Sequence, residues 1–483
     1  MSRGRSVVRG GVLSGASIFV STLAMLAVGK MFTNVLDQAG VAIFTLLLLW
    51  ADFINIAGNL GLAVSLPKLI GAAPEDRRAA ISGACLSFQH LLLILLAIVC
   101  WAVPAVLWQF RVGPASWQGV YPWLLFLPPL FGVGIVRDTS MAALAGFNRY
   151  GPRAMGIVTS SAAQVLFVFL FIWVLKGGVA ALSITTTAAY AVAVAWLLAA
   201  LPRGARWHPD FALARECVRF SMPLYVNSLL TFVFQRFDTM FLLLVLQSPA
   251  AVALYEMAKR LPVLVSRFLG ALAVPFLPTI SEMIARNERG EAARFLTHTS
   301  SILAFFGYLT ALMTILVQEP LLILLFNRDY LAATSVLGLL MAAIAVAVQA
   351  GLMGQTLIAL GKPGLVTAIN VATAAFSIAA NLVLLPLLGI TGAGLAALCA
   401  AAFSCAAQTA CVRRRGLGVQ TRHLLKPHGI MLAAGLLLWA GQGGIPWRIA
   451  AVGLFVCGCL ALRVVTVHDV RGLIRALLPA RRS

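Results

Sequence analysis

The sequence predicts an all-α polytopic membrane protein with about 14 transmembrane helices: two six-helix lobes in parallel pseudo-repeat, then two C-terminal helices. Three observations carry that prediction. Of 483 residues, 61% are hydrophobic and only 11% charged, with a mean hydropathy of +0.96. Soluble domains carry about 25% charged residues, so a water-soluble fold of this length could not hide so much apolar surface. Long apolar runs recur along the chain between Gly, Pro and charged breakers, and the second half echoes the first at a steady offset.

In order, the apolar runs place helices at 10–33, 40–66, 79–107, 119–146, 152–175 and 178–201, then 215–246, 250–280, 295–326, 331–360, 363–388 and 391–412. Two further helices are expected at 424–441 and 446–464. The first helix follows Arg3, Arg5 and Arg9 without an A-x-A-like site and reads as a retained span, not a cleaved leader. The expected division is a lobe over 1–206, a lobe over 207–415, helices thirteen and fourteen over 416–464, and a basic cytoplasmic tail over 465–483.

Loop charge orients these spans. Of the 36 Lys and Arg residues, five fall in one set of alternate connections (Lys30, Arg111, Lys176, Arg328, Arg448) and five fall within helices. The other 26 lie in the opposite set, from Arg3 through Arg77, Arg203, Arg289 and Arg413 to Arg482. The positive-inside rule then expects both termini in the cytoplasm of a bacterial cell, the chain being multi-pass in the inner membrane. The tail arginines, spaced among leucines, are expected on the inner membrane surface. The net charge of +21 therefore fits membrane lipids and topology, not nucleic acid. The eight cysteines show no C-x-x-C pair and read as small apolar residues, with neither a disulfide framework nor a metal site.

The internal repeat is legible in short matches. LGLAVSLPKLIG at 60–71 answers LGALAVPFLPTIS at 269–281, and PEDRRAA answers NERGEAA. LAGFNRYGP at 144–152 answers LIALGKPG at 357–364, and LKGGVAALSI at 175–184 answers LGITGAGLAAL at 388–398. Helices one to six thus repeat as seven to twelve in the same orientation, a design that suits alternating access.

Charges inside spans are costly and face a cavity or a partner. Helix four carries Arg137 and Asp138, helix seven Arg236 and Asp238, and helix eight Glu256, Lys259, Arg260 and Arg267. Asp52, Asn55 and Asn59 share one face of helix two, and Lys30, Asn34 and Asp37 end helix one. Arg137 with Asp138, and Arg236 with Asp238, are too close in sequence to share a helical face, so each side chain is expected to need a partner on another helix. Glu256 reaches Lys259 or Arg260, yet helix eight keeps an excess of positive charge, and a guanidinium suits phosphate. The expected substrate-binding residues are therefore Arg236, Arg260, Arg137, Lys259 and Arg267, with Asp52, Asn55, Asn59 and Glu256 as polar cavity candidates. Internal pairing is the structural alternative for all of them, as core polarity is for Gln89 and His90.

The stretch Val252-Ala-Leu-Tyr255, the run Pro275–Ser281 and LIALGKPGLVTAINVATAAFSIAANLVLLPLLGITGAGLAAL at 357–398 resemble the MOP superfamily and, within it, the polysaccharide or Wzx-type flippases. The resemblance spans nearly the whole chain through loose small-residue patterns. It implies a monomer without a cofactor that flips an undecaprenyl-(di)phosphate-linked oligosaccharide by alternating access, alongside a polysaccharide polymerase. It also implies proton or sodium coupling, for which Asp37 and Asp138 are the candidates. A cation-coupled multidrug exporter is the nearest alternative and would favour unpaired acids. A peptidoglycan-precursor flippase is another. A membrane polymerase or ligase would carry a long external loop with catalytic groups, and neither such a loop nor an H-E-x-x-H, G-x-S-x-G or P-loop pattern occurs, so no enzyme is expected.

Overall fold

In a bilayer each spanning segment must satisfy its own backbone hydrogen bonds, and helices do so locally. The computed structural model describes residues 2–110, 121–272 and 276–465, and no strand occurs among them. Arg111, Pro275, the tail with Arg471, Arg475, Arg481 and Arg482, and the side chains of Arg3, Arg5 and Arg9 lie outside the described residues. Ten helical runs among the described residues are long and apolar enough to cross a membrane, matching expected helices one to six and nine to twelve. The chain is thus an all-helical, multi-span membrane protein. It divides into two compact units, Met1–Phe237 with Leu325–Asn327, and Asp238–Leu324 with Arg328–Ser483.

The first unit contains α1 (Ser2–Thr33), α2 (Gln38–Asn59), α3 (Leu62–Ala72), α4 (Glu75–Gln109), the single turn α5 (Tyr121–Leu124), α6 (Leu127–Gly146), α7 (Tyr150–Val168, running on as π-helix to Val174) and α8 (Val179–Ala200). Helix α9 (Phe211–Leu246) belongs to this unit up to Phe237. Leu62, Leu66 and Ile70 of α3 pack with Cys85 and Leu86 of α4, Leu144 of α6 and Leu197 of α8 to form its core. Leu91, Ile94, Leu95 and Ile98 of α4 are each more than half exposed, a face tolerable only against lipid.

The expected helix over 40–66 is instead two helices. Leu60 and Gly61 take left-handed conformations, with φ of 51° and 78°. A side chain at Gly61 would stand 2.7 Å from the Ser221 carbonyl oxygen and 2.9 Å from the Tyr225 nitrogen, so α9 backbone fills the space and only glycine fits. Asn59 secures the restart: its Oδ1 accepts from the Ala63 N–H at 2.6 Å and its Nδ2 donates to Thr139 Oγ1 at 3.3 Å. Ser65 and Ser221 share a hydroxyl hydrogen bond of 2.5 Å beside it.

The second unit repeats this element order. Helix α10 (Pro249–Leu272) and the short α11 (Phe276–Ala285) follow in the order of α2 and α3, and both fall on the expected span over 250–280. They are followed by α12 (Arg289–Leu316), α13 (Gln318–Leu325), α14 (Thr334–Ala359), α15 (Pro363–Leu388) and α16 (Ile390–Arg414), then α17 (Thr421–Ala440) and α18 (Ile445–Ala461). Pro363 starts α15 at a position where its missing N–H costs nothing. The four expected spans not among the ten runs fall on α9, α10, α17 and α18, the last 17 residues long. Phe276 stacks on Phe295 at 5.4 Å and Phe305 on Phe455 at 5.8 Å, tying α11 to α12 and α12 to α18.

Helices α12 and α14 cross where both carry small residues. A side chain at Gly307 would meet the Ala345 Cβ at 2.8 Å, whereas one at Gly351 of α14 would meet nothing within 4 Å. Gly307→Leu should therefore destabilise the protein by about 2 kcal/mol through overpacking, read as a lowered Tm of detergent-purified protein. Gly351→Leu should leave the Tm within a degree or two.

Candidate functional site

The intramembrane charges form one cluster in each unit. In the first, α2 supplies Asp52 and Asn55, α6 supplies Arg137 and Asp138, α8 supplies Tyr190 and α9 supplies Arg236. Arg137 and Asp138 pair directly despite being sequence neighbours, with Nη2 and Nε both 2.9 Å from Oδ1. Two other helices complete the arrangement. Asn55 Nδ2 donates to Asp138 Oδ2 at 2.9 Å, and the Arg137 guanidinium lies 4.2 Å from the Tyr190 ring centre. Arg236 reaches Asp52 Oδ2 at 3.5 Å, with side-chain exposures of 36% and 52%. Two acids against two bases leave these four groups balanced.

In the second unit Lys259 of α10 is the hub. Its Nζ lies 3.0 and 3.2 Å from the two oxygens of Asp238 on α9, 3.4 Å from Thr239 Oγ1 and 3.5 Å from Glu256 Oε1. Tyr255 donates its hydroxyl to Asp238 Oδ2 at 2.6 Å, and Thr239 donates to Glu256. Arg260 lies in the electrostatic reach of Glu256 and Tyr330, and Arg267 is exposed on the same helix. By sequence α10 carries three bases, Lys259, Arg260 and Arg267, against one acid, Glu256.

Other candidates have plainer surroundings. Asp37 caps α2, its Oδ1 accepting from the Gly40 N–H at 2.8 Å. Asn59 serves the α2–α3 break. Buried Gln89 donates to the Asn59 carbonyl oxygen at 3.4 Å, and His90 Nδ1 lies 2.6 Å from the Leu86 carbonyl oxygen.

The second unit also holds a cavity of about 1230 Å³ walled by α12, α14, α16 and α17, mostly apolar, with Met353, Leu398, Leu424, Met431 and Leu432 among its lining. One polar chain crosses it. Tyr308 OH lies 2.5 Å from His428 Nδ1, and His428 Nε2 lies 2.6 Å from Gln349 Oε1. With the proton on Nε2, His428 donates to Gln349 and accepts from Tyr308, and both contacts are satisfied. Nothing in the charge pattern singles these residues out; the one signal is a histidine within an apolar helix. Outside the cavity, Arg448 grips Glu319 with two contacts of 2.6 Å.

Residues 7–284 match the family model described as polysaccharide biosynthesis protein, the Wzx-type flippase family. No curated protein matches the chain by sequence. Among solved structures, the lipid II flippase MurJ in an inward closed conformation is similar at a TM-score of 0.70 and 14% identity, covering 97% of this chain and 100% of that one. A multidrug resistance MATE family transporter of the MOP superfamily, inward-facing, is similar at a TM-score of 0.61 and 16% identity over 82% of this chain and 95% of that one. A mutant form of the Vibrio cholerae MATE transporter VcmN reaches 0.53 at 18% identity, over 86% and 98%. The fold is that of these solved transporters.

The Lys259 hub makes a direct demand on stability. Lys259→Met leaves Asp238 and Glu256 without their shared cation and should destabilise the protein by about 3 kcal/mol. Adding Asp238→Asn to that variant should recover at least half of the loss. Chemical or thermal unfolding of the two variants in one detergent reads the difference.

Proposed function

The chain belongs to the polysaccharide biosynthesis protein family, and on that premise we propose that it flips an undecaprenyl-(di)phosphate-linked oligosaccharide from the cytoplasmic to the external leaflet by alternating access, for surface polysaccharide biosynthesis. The observation that carries this reading is the charge of α10 itself, which bears three bases, Lys259, Arg260 and Arg267, against one acid, Glu256. Such a surplus favours an anionic cargo and disfavours a cationic drug. Arg236 and Arg260 are the proposed phosphate contacts, with Arg137, Lys259 and Arg267 supporting the field. Arg236 meets Asp52 at 3.5 Å with both side chains partly exposed, a setting that a phosphate oxygen can reach. The apolar cavity of the second unit suits the isoprenoid chain.

The proposed setting is the inner membrane with both termini cytoplasmic, a monomer working beside a polysaccharide polymerase, with Asp138 as the proposed coupling acid. Asp37, which caps α2, is proposed for that role second. Flipping of a peptidoglycan precursor is a further reading, favoured by the fold likeness to a lipid II flippase over 97% of the chain.

In a deletion strain, Arg236→Ala and Arg260→Ala should each cut surface polysaccharide at least tenfold at normal protein level, and the Lys variants less. Lipid-linked repeat unit should accumulate at the cytoplasmic face. Full polymer in both Ala variants would overturn the assignment of these residues. Unchanged glycan with accumulated peptidoglycan precursor, or with cation sensitivity, would move the function to one of the alternatives.

A further inference from the structure

The two halves of the repeat treat their loop arginines differently. In the first unit, where PEDRRAA opens α4, Arg78 Nε donates to the Ala73 carbonyl oxygen at 2.9 Å. Arg149 Nη1 donates to the Ala200 carbonyl oxygen at 2.8 Å, and Arg206 donates to the Leu201 and Ala199 carbonyl oxygens at 3.1 and 2.8 Å. These guanidiniums close helix ends, a use to which cations at C-terminal carbonyls are suited.

In the second unit, NERGEAA opens α12 at the equivalent place, and the side chains of Arg289 and Arg294 make no hydrogen bond or ion pair among the described residues. They line a separate pocket of about 470 Å³ where the start of α12 meets the connection from α16 to α17, with Gly416, Gly418 and Gln420 on the facing wall. That volume lies within the range of about 300–1,000 Å³ typical of small-ligand sites. Gly416 has φ +80°, and a Cβ there would stand 3.4 Å from Arg289 Nη1, so the loop backbone runs alongside the guanidinium. Arg413, Arg414 and Arg415 lead into this loop and Arg422 follows it, adding positive charge of the same sign. The flanking acids Glu288 and Glu291 pair with neither pocket arginine.

We propose that this arginine-lined pocket binds the phosphate of an anionic phospholipid headgroup. Among the described residues neither arginine side chain has a hydrogen-bond or ion-pair partner, and a cavity of headgroup size opens beside them. A guanidinium pair recognises phosphate by charge-assisted hydrogen bonds, and Gln420 adds a neutral donor. Membrane placement selects the lipid as the source. Both α12 and α16 are long and apolar enough to cross a bilayer, and the pocket sits at their ends, the level at which headgroup phosphates are presented. This site is separate from the α10 charges and stands whether or not the chain flips a glycolipid.

Binding of short-chain phosphatidylglycerol, short-chain phosphatidylcholine and inorganic phosphate to the full-length protein in detergent tests it, read by native mass spectrometry and by thermal shift. The wild type should bind phosphatidylglycerol at least tenfold more tightly than phosphatidylcholine. Arg289→Gln/Arg294→Gln should lose about tenfold of that affinity, while Lys362→Gln/Arg203→Gln, with the same change in charge elsewhere, should not. Equal binding of the two lipids, or undiminished phosphatidylglycerol binding by the pocket variant, would overturn the proposal. So would millimolar inorganic phosphate displacing the lipid completely, which would make this a site for soluble phosphate.

Discussion

A charge inside an apolar helix bundle must find an opposite charge or a dipole, and the contact of Lys259 with Asp238 is where this chain meets that demand most fully. An uncompensated charge at the centre of a spanning helix costs about 2.5–3.5 kcal/mol by insertion scales. Lys259 spreads its ammonium over both oxygens of Asp238, the Thr239 hydroxyl and Glu256, and Tyr255 takes up the remaining donor role toward Asp238. Five side chains on two helices are thereby held in one arrangement. The alignment of α10 with the end of α9 depends on it, and so does the placement of Arg260 one residue further along α10.

The two clusters differ in what they leave over. In the first unit Arg137, Asp138, Asp52 and Arg236 balance, and Asn55 and Tyr190 absorb the remaining hydrogen-bonding and π capacity. In the second, α10 itself carries three bases against one acid. Balanced charge stabilises a resting structure, whereas a surplus of one sign attracts a ligand of the other.

The repeat conserves element order more closely than polar chemistry. Both units contain a long helix followed by a short one, α2 with α3 and α10 with α11, then a long helix that opens on a charged turn, α4 or α12. At those charged turns the arginines diverge: in one unit they cap helix ends, in the other they border a pocket. A duplicated backbone tolerates this because surface side chains at helix ends are not needed for packing, which rests on contacts such as Leu62 with Leu144 or Phe276 with Phe295.

Hydropathy was enough to read ten of the spans and their order, because membrane insertion sums transfer free energies over about 20 consecutive residues and hardly depends on which helix lies alongside. The same local reading found which side chains are charged and deeply placed. It did not find what they touch. Asp37 became a helix cap because the backbone turns there; Asn59 guards a break that exists only because α9 crosses at Gly61; and Arg137 pairs with its own neighbour because Asn55 and Tyr190 hold both from other helices. His428, Tyr308 and Gln349 are far apart in sequence and meet only in the folded second unit. The sequence by itself determined where the chain is helical and which charges the membrane must accommodate; tertiary structure alone decided their partners, because pairing depends on which helical faces cross, and no window along the chain contains that information.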